Sequence, residues 1–363
     1  MDRRIFLKAA TAAAAVGALP WREAVARTTG DWRSYEIVTR VTILKPQGVS
    51  KAWIPLPMMD ETEWHRPLGS SWSGNAAKAQ ILRDGKYGAT MMYAEWGGGG
   101  DAAPVIEVTS GFMTRDRAVD LSQRNPGAEK LSAADVAFYT AGTELIPVDG
   151  IVQDTARDIV KGRRSDIDKA RAIYEWVVEN TFRDPKTRGC GWGDIKSMLE
   201  SKNFGGKCGD LNAMFVGLAR SVGVAARDVY GLRVAPSIHG YKSLGVGSPN
   251  VTRAQHCRAE FFAQGVGWVP VDPGDVRKVV LEEPPTNLKI DHPMVVAARK
   301  RLFGGWEMNW LAYNIAHDVK LPGSSSAKIP YLMYPNGETG GKALDSLEPD
   351  VFKYEIRSNG VKA

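Results

Sequence analysis

Three residues of this 363-residue chain have the chemistry of a nucleophile, a base and an orienting acid: Cys208, His256 and Asp272. Cys208 begins a segment, residues 208–222, in which apolar side chains recur at helical spacing while Asn212 and Arg220 lie off the apolar face. In the first turn of a helix, unpaired backbone N–H groups and the helix dipole favour a thiolate. Taken alone, Cys208 is equally consistent with a small buried apolar residue, so its partners must decide.

The stretch HCRAEFFAQGVGWVPVDPGD, residues 256–275, predicts a β-hairpin that brings His256 and Asp272 together. A three-residue loop at 263–265, with Gly265 in the left-handed conformation, would pair residue 260 with 268 and 256 with 272. Cβ atoms of directly opposite residues lie about 4.5–5.5 Å apart, so a carboxylate there can fix the tautomer and orientation of the imidazole.

The alternative is a surface histidine–aspartate pair in an ordinary hairpin, with a structural cysteine elsewhere. It is disfavoured because the other histidines lie in segments without a carboxylate at hairpin spacing; these are His65, His239, His292 and His317. A thiol needs an imidazole that is held in line, and the spacing supplies both partners.

Segments before residue 145 have the alternation of β-strands. They are WRSYEIVTRVTI, KAWIPL, ATMMYAEW and PVIEVTSGFM, separated by Gly, Pro, Asn and Asp. They predict a β-rich N-terminal domain, residues 27–145, with the architecture of a sandwich.

The periodicity changes near residue 150. Segments 151–161 and 166–180 have helical spacing, the helix of Cys208 follows, and a strand at ARDVYGLRV precedes the hairpin. We predict a catalytic domain at residues 146–290. The remaining residues, 291–363, form a C-terminal extension that is rich in aromatic residues and ends in the strand-like VFKYEIRS.

The first 26 residues resemble a twin-arginine export signal. Arg3 and Arg4 precede an apolar alanine-rich run that is too short to span a bilayer, and residues 24–26 are the small residues of a cleavage site. Asp2 is a minor departure, and an N-terminal helix or a retained membrane anchor is the alternative. The interpretation predicts a periplasmic or secreted protein without stable membrane insertion after cleavage, because no other stretch approaches about eighteen apolar residues.

Charge and cysteine content exclude two further classes of protein. Cleavage after Ala26 removes four basic and two acidic residues, which lowers the net charge from +6 to +4. A charge of this size, without a basic run interleaved with aromatics, does not indicate a nucleic-acid partner. Three cysteines do not build a disulfide scaffold, although an oxidising compartment would let two of them pair.

The order of motifs resembles the transglutaminase-like superfamily of papain-type cysteine enzymes. The motifs are a Gly-Lys-Cys-Gly-Asp helix start, the strand VAARDVYGLR, a His-x-x-x-Glu strand and the ending GWVPVDP, and the resemblance is close over residues 150–280. It implies an α+β fold in which the nucleophile helix packs on an antiparallel sheet. By that resemblance Cys208 is the nucleophile, His256 the base and Asp272 the orienting acid, with no cofactor. The β-rich first domain and the aromatic tail resemble extracytoplasmic bacterial members.

One position departs from this family, which often has Trp two residues after the histidine where this chain has Arg258. Arg258 and Glu260 share a strand face, so the two side chains could pair beside the site and alter the polarity of the substrate groove. We expect instead a salt bridge at the rim of the site, which would contribute little stability.

The other two cysteines have different expected roles. Strand alternation places Cys257 on the face opposite His256, in the core and away from Cys208. Cys190, in the sequence RGCGWGD, is expected in a structural loop, with an approach to the active site or a regulatory thiol as alternatives. Because there is no Cys-x-x-Cys pair and Cys257 faces away, a zinc site is not expected.

These residues predict an enzyme that attacks an amide or peptide carbonyl through a thioester acyl-enzyme. Water as the acceptor gives a peptidase or amidase, which is favoured, and an amine gives protein crosslinking. A non-catalytic binding or scaffold domain is the alternative. The backbone N–H of Cys208 is the natural first oxyanion donor, while Trp192 and Asn203 are unassigned candidates for the second. The substrate is expected to be a peptide, a protein or a cell-wall amide, and the oligomeric state is left open.

Overall fold

The computed structural model describes residues 31–361 apart from 100–101, 124–126, 128–129 and 349–351. The predicted export signal, residues 1–26, lies outside the described residues. Within them there are seven helices: α1 (Ala133–Thr140), α2 (Gly150–Ile159), α3 (Asp166–Asn180), α4 (Ile195–Ser201), α5 (Cys208–Ser221), α6 (Pro273–Glu282) and α7 (Pro293–Arg301).

The strands follow the same chain order. They are β1 (Arg33–Ile43), β2 (Ser50–Pro55), β3 (His65–Gly74), β4 (Lys78–Arg83), β5 (Thr90–Trp96), β6 (Val105–Thr114), β7 (Arg117–Ala118), β8 (Phe182–Arg183), β9 (Gly205–Gly206), β10 (Ala226–Arg233), β11 (Gln255–Ala263), β12 (Gly267–Val271), β13 (Gly305–Trp306), β14 (Trp310–Asn314), β15 (His317–Val319), β16 (Ile329–Tyr331), β17 (Asn336–Thr339), β18 (Lys342–Leu344) and β19 (Phe352–Val361).

Two sheets form a β-sandwich at the N-terminal end of the chain, as predicted. One sheet has the strand order β19-β1-β6-β3 and the other β18-β17-β2-β5-β4. Alternating side chains of both sheets meet in one apolar cluster, which includes Val41, Ile54, Met92, Ile106 and Phe352. Burial of these inward faces is the reason that the strands alternate in sequence.

The C-terminal residues complete this sandwich. β19 pairs antiparallel with β1 over ten residues, from Phe352 opposite Ile43 to Val361 opposite Ser34. β17 pairs with β2, and β18 pairs with β17 at the edge of the second sheet. Three strands of the segment 291–363 therefore belong to the same sheets as the strands before residue 115.

A third antiparallel sheet has the strand order β12-β11-β10-β14. It supports α5, the helix that begins with Cys208. Every residue of α5 from Cys208 to Arg220 is buried, because the sheet covers one side of the helix and α2, α3 and α4 cover the others. Gly217 permits the approach of α4: a Cβ atom there would lie 2.1 Å from Cδ1 of Ile195. The predicted α+β core, a cysteine-bearing helix packed on an antiparallel sheet, is confirmed.

Among the helices of the described residues, none combines the length and the hydropathy that a bilayer-spanning segment needs.

The pairing of β19 with the sandwich predicts the effect of the substitution Phe352→Ala. The Phe352 side chain is 1% exposed in the sandwich core, so its truncation should lower the free energy of unfolding by about 3–5 kcal/mol. Lys353→Ala, at the exposed neighbouring position, should change it by less than about 0.5 kcal/mol. Urea denaturation of the two variants measures the difference, and equal stabilities would contradict a core role for β19.

Candidate active site

Cys208 is the first residue of α5, and the carboxylate of Asp210 fixes the chain around it. This carboxylate accepts backbone N–H bonds from Lys207 at 2.9 Å, from Trp192 at 3.0 Å and from Gly193 at 2.9 Å. One side chain therefore caps the helix and fastens the preceding loop to it. The cysteine is held where the helix dipole acts on its sulfur.

Gly191 makes this contact possible. Its φ is +90°, and a Cβ atom there would lie 1.8 Å from Oδ2 of Asp210. Any side chain would displace the carboxylate from the three N–H groups that it caps. The glycines of the RGCGWGD sequence thus serve the close approach of the loop to the nucleophile helix.

His256 and Asp272 form a buried hydrogen-bonded pair. His256 lies on β11 and Asp272 caps α6, and Nε2 of the imidazole is 2.7 Å from Oδ2 of the carboxylate. Both residues are at most 3% exposed. The other ring nitrogen, Nδ1, is not engaged by Asp272, and the imidazole lies near enough to Cys208 to lower the pKa of its thiol. The structure brings the three predicted residues together.

The register of the hairpin differs from the prediction. Glu260 pairs with Pro270 rather than with Trp268, because Ala263 still pairs with Gly267 and the loop comprises residues 264–266. Gly265 has the expected left-handed conformation, with φ of +79°. β12 ends at Val271, so Asp272 reaches His256 from the start of a helix and not from a position directly opposite on a strand.

Asp275 is a second carboxylate at the imidazole that the sequence reasoning missed. Its Oδ2 lies 3.3 Å from Nε2 of His256, and its Oδ1 accepts a 2.5 Å bond from buried Arg233. Its backbone N–H donates to Oδ1 of Asp272 at 2.9 Å. The Asp-Pro-Gly-Asp sequence is a helix-start signal that placed both carboxylates within one turn.

Asn212 is another polar residue of the site that the helical pattern placed off the packed face. It is fully buried, and its amide group donates to the carbonyl of Cys257 at 2.8 Å and to Oδ1 of Asp272 at 3.3 Å. Asn212 therefore ties the nucleophile helix to both the strand of His256 and the cap of α6. Arg220, expected on the same outer side, is also buried and bonds the carbonyl of Ala226.

The electrostatics of the pair favour a charged imidazole. Burial and the guanidinium of Arg233 lower the pKa of His256, but the carboxylates of Asp275 and Asp272 outweigh them and raise it to about 9. Burial raises the pKa of Asp275, yet Arg233 and His256 hold it well below its usual range. For Asp272, burial and the charge of Asp275 raise the pKa. The opposite shifts favour the charged carboxylate at Asp275 over that at Asp272.

Arg258 and Glu260 do not form the expected rim salt bridge; both are 1% exposed and have other partners. Glu260 pairs with Arg117 at 2.7 Å and with Arg227 at 2.5 Å. Arg258 donates to the carbonyl of Glu307 at 2.9 Å, and its guanidinium lies 3.6 Å from Asp272. Strand alternation placed the two on one face, but that face is covered by other elements, which sequence spacing alone does not reveal.

Cys257 is in the core as expected, but the prediction that it avoids Cys208 is wrong. The Sγ atoms of Cys190, Cys208 and Cys257 all lie within 4.8 Å of one another. Because Asn212 bonds the carbonyl of Cys257, the helix start lies against the main chain at 256–257, where it reaches side chains of both strand faces. A zinc site was not expected partly because Cys257 faces away from His256. That reason does not hold, since three free thiols converge.

The neighbouring thiols also lower the pKa of Cys208. Hydrogen bonds from Cys190 and Cys257, followed by the hydrogen bond and charge of His256, hold the pKa of Cys208 well below its usual range despite burial. The pKa of Cys257 is raised by burial. Cys190, which the sequence left between a structural loop and an approach to the site, contacts the site. Of the three thiols, that of Cys208 is the one whose pKa is lowered, which favours its thiolate form.

A cleft of about 300 Å³ adjoins the helix start. Its walls include Arg188, Gly191, Trp192, Asn203 and Asp210. The indole of Trp192 is 67% exposed, while its backbone N–H is bonded to Asp210. Both candidates for a second oxyanion donor therefore line the cleft.

These features, a cysteine at a helix start packed on an antiparallel sheet that carries a histidine, are those of the transglutaminase-like fold. The sequence profile of the transglutaminase-like superfamily matches residues 153–273. An uncharacterized protein of Haemophilus influenzae is 34% identical over 344 residues, which cover 90% of this chain and 92% of that protein. The chain belongs to the transglutaminase-like superfamily.

A solved structure supports the same fold over the whole chain. A candidate cysteine protease from Cytophaga hutchinsonii is 12% identical and superposes with a TM-score of 0.56, covering 92% of each chain. At this identity the similarity concerns the fold. It extends beyond the cysteine-bearing core and includes the sandwich.

The raised pKa of His256 gives a testable titration. The folded-state pKa, about 9, lies above the ordinary value of 6.5, so protonation stabilises the fold below pH 6.5, and this contribution is lost as the pH rises to about 9. Imidazole NMR signals, assigned with His256→Gln, should show a midpoint near 9 in the wild type. In Asp275→Asn the midpoint should fall toward 6.5, because one of the two carboxylates that raise the pKa is neutral.

Glu175→Gln is the matched control, because Glu175 pairs with Arg299 and is not one of the carboxylates that raise the pKa of His256. It should leave the midpoint of His256 unchanged. A wild-type midpoint near 6.5, or an unchanged midpoint in Asp275→Asn, would contradict the electrostatic account. The wild-type measurement stands even if the Asp275 variant folds poorly.

Proposed function

We propose that the chain is a cysteine-dependent enzyme that attacks an amide or peptide carbonyl through Cys208, with His256 as acid and base and Asp272 as orienting acid. The observation that carries the proposal is the combination of a helix-start thiol of lowered pKa with an imidazole of raised pKa that is bonded to a buried carboxylate. This combination favours a thiolate–imidazolium pair before substrate binds.

The order of the proposed steps follows from a proton that resides on the His256 imidazole and not on the Cys208 sulfur. The thiolate of Cys208 attacks the carbonyl carbon, the C–N bond breaks, and the imidazolium of His256 gives its proton to the leaving amine. The acyl group remains on sulfur as a thioester. Neutral His256 then takes a proton from the acceptor, which attacks the thioester and releases Cys208. Asp272 keeps Nε2 engaged, so that Nδ1 faces the reacting atoms throughout.

The carbonyl oxygen gains negative charge during both attacks and needs donors aimed at it. The N–H of Cys208 belongs to the first turn of α5, where backbone N–H groups have no partner within the helix. The cleft beside the helix start offers a place for the substrate chain, and the exposed indole of Trp192 offers an apolar wall. We propose a peptide, a protein or a cell-wall amide as substrate.

Hydrolysis is the favoured outcome, because water is the default acceptor unless a site is built to exclude it. The cleft beside the start of α5 is lined by the exposed side chain of Trp192, so solvent lies near the end of the helix that carries Cys208. Peptidase or amidase activity is therefore proposed ahead of acyl transfer to an amine.

We further propose that the protein is exported to the periplasm or secreted. The support is the order of the paired arginines, the apolar run and the small residues at 24–26.

Iodoacetamide and a proteome-derived peptide library test the proposed nucleophile. At mildly acidic pH the purified protein should be alkylated at Cys208 faster than free cysteine, and alkylation should stop cleavage of library peptides. Cleavage should be absent in Cys208→Ala and reduced about 10²–10⁴-fold in His256→Ala. Mass spectrometry locates the label. Lys353→Ala, an exposed substitution on β19, is the control variant and should be alkylated and cleave peptides as the wild type does.

The same reaction with an added primary amine and a glutamine peptide separates the two acceptors. Free carboxylate products without an amine adduct support hydrolysis, while ammonia release with adduct formation supports acyl transfer. Alkylation of Cys208 no faster than free cysteine, with no cleavage or adduct, would support a scaffold and overturn the enzyme proposal.

Cell fractionation tests export. The chain should be found outside the cytoplasm, and the double substitution Arg3→Lys with Arg4→Lys should retain it in the cytoplasm, because the charge is kept but the arginine pair is lost. Arg22→Lys, in the same leader, should leave export unchanged. Extracytoplasmic location of the double variant would contradict twin-arginine export.

A further inference from the structure

Four sulfur atoms, one of them that of the proposed nucleophile Cys208, converge in the core. The Sγ atoms of Cys190, Cys208 and Cys257 lie within 4.8 Å of one another, and the thioether sulfur of Met333 lies 3.9 Å from Sγ of Cys257. All three cysteines are free thiols, and all four residues are at most 6% exposed. The proposed mechanism uses only one of these sulfurs, so the convergence of the other three needs its own explanation.

We propose that these four residues form a binding site for a soft metal ion and that copper(I) is the ion that suits it best. An ion bonded to three thiolates in a plane at about 2.3 Å requires sulfur atoms about 4.0 Å apart, a separation that the cluster accommodates. Thiolate and thioether ligands favour soft metals such as copper(I), zinc and the iron of iron–sulfur clusters over hard cations. Met333 distinguishes this site from a zinc site, because a thioether is a weak ligand for zinc.

The four sulfurs are held by different elements. The N–H of Gly209 donates to the carbonyl of Cys190 at 2.8 Å, which joins the loop to the start of α5 beside Cys208. Cys257 lies on β11, in the sheet that supports α5, opposite Tyr230 on β10. Met333 follows β16 in the C-terminal segment. Because each ligand is fixed by its own element, binding requires little rearrangement.

The surroundings of the cluster are apolar and aromatic. Tyr230 and Tyr331 stack at 4.8 Å between ring centroids, and Leu232, Val251 and Ile356 belong to the same buried cluster. Such a shell excludes water and the hard oxygen ligands that other cations prefer. Sulfur is the ligand type that this buried cluster offers in the greatest number.

Charge and protons balance without a redox step. Copper enters and stays as copper(I), three copper–sulfur bonds form, and each cysteine that binds as a thiol loses its proton to solvent. The thioether of Met333 binds without losing a proton.

A bound ion would occupy the sulfur of Cys208 and so block attack on a carbonyl. This consequence rests on the proposed function, but the binding itself does not. A chain without any amide cleavage would still bind the ion.

Competition with a chromophoric copper(I) chelator tests the site on the reduced, full-length protein under anaerobic conditions. The wild type should withdraw one copper(I) per chain from the chelator. Cys190→Ser and Cys257→Ser should each weaken binding by at least about tenfold, as expected for loss of a direct ligand. Met333→Leu should weaken it less, and Met92→Leu, buried in the sandwich core, should have no effect.

X-ray absorption of the copper-loaded wild type keeps the test independent of whether the variants fold. It should show three or four sulfur neighbours and no nitrogen or oxygen. Two-coordinate copper, or wild-type affinity in both cysteine variants, would overturn the site. So would loss of two thiols without retained copper, because that result means a disulfide. Reversal by chelator of an inhibited amide cleavage is a separate readout, and its failure would concern the proposed function alone.

Discussion

The carboxylate of Asp272 joins three elements of the core. Its Oδ1 accepts the N–H of Asp275 and the amide of Asn212, and its Oδ2 lies 2.7 Å from the imidazole of His256. The first bond begins α6, the second reaches α5, and the third orients β11's histidine. The geometry between the Cys208 thiol and the His256 imidazole therefore depends on the carboxylate that begins α6. A displacement of α5, α6 or β11 would alter the contacts of the other two elements with Asp272.

Buried charge around this carboxylate is balanced within a small volume. Asp272 and Asp275 face His256, Arg233 and Arg258, all at most 3% exposed. Unpaired charges at such burial would cost several kcal/mol each, so each group depends on the others for its ionisation. Arg258, at the position where the family often has Trp, donates to the carbonyl of Glu307 and lies over the ring of Trp310. The aromatic ring that packs against this part of the site is thus supplied by β14.

Much of the site was predictable because its chemistry is local in sequence. A cysteine after glycines at a helix start, and a histidine and an aspartate flanking one hairpin, are patterns that short-range geometry explains. The register was misjudged because the loop residues could close the hairpin in two ways, and Ala263 pairs in the observed one. Asn212 was placed outside the packed face because an amide in a helix is normally solvated, whereas here two elements surround it.

The contacts that sequence spacing cannot give are those between distant elements. Cys257 alternates away from His256 as its strand requires, yet the start of α5 crosses that strand and reaches both faces. In the same way, the periodicity of VFKYEIRS identified a strand without identifying β1 as its partner. Alternation fixes which side a residue faces, but tertiary packing decides what lies on that side.

Because β19 follows the cysteine-bearing core in the chain, its pairing with β1 can form only after the strands of that core have been synthesised. β1 lies between β19 and β6 in its sheet, so it keeps one open edge until the residues of β19 have been synthesised. The cysteine-bearing core, whose strands β10, β11, β12 and β14 all precede residue 315, can assemble while that edge is still bare. A chain that stops before β19 would carry the cysteine-bearing core beside an unpaired strand, which is a template for association with other chains.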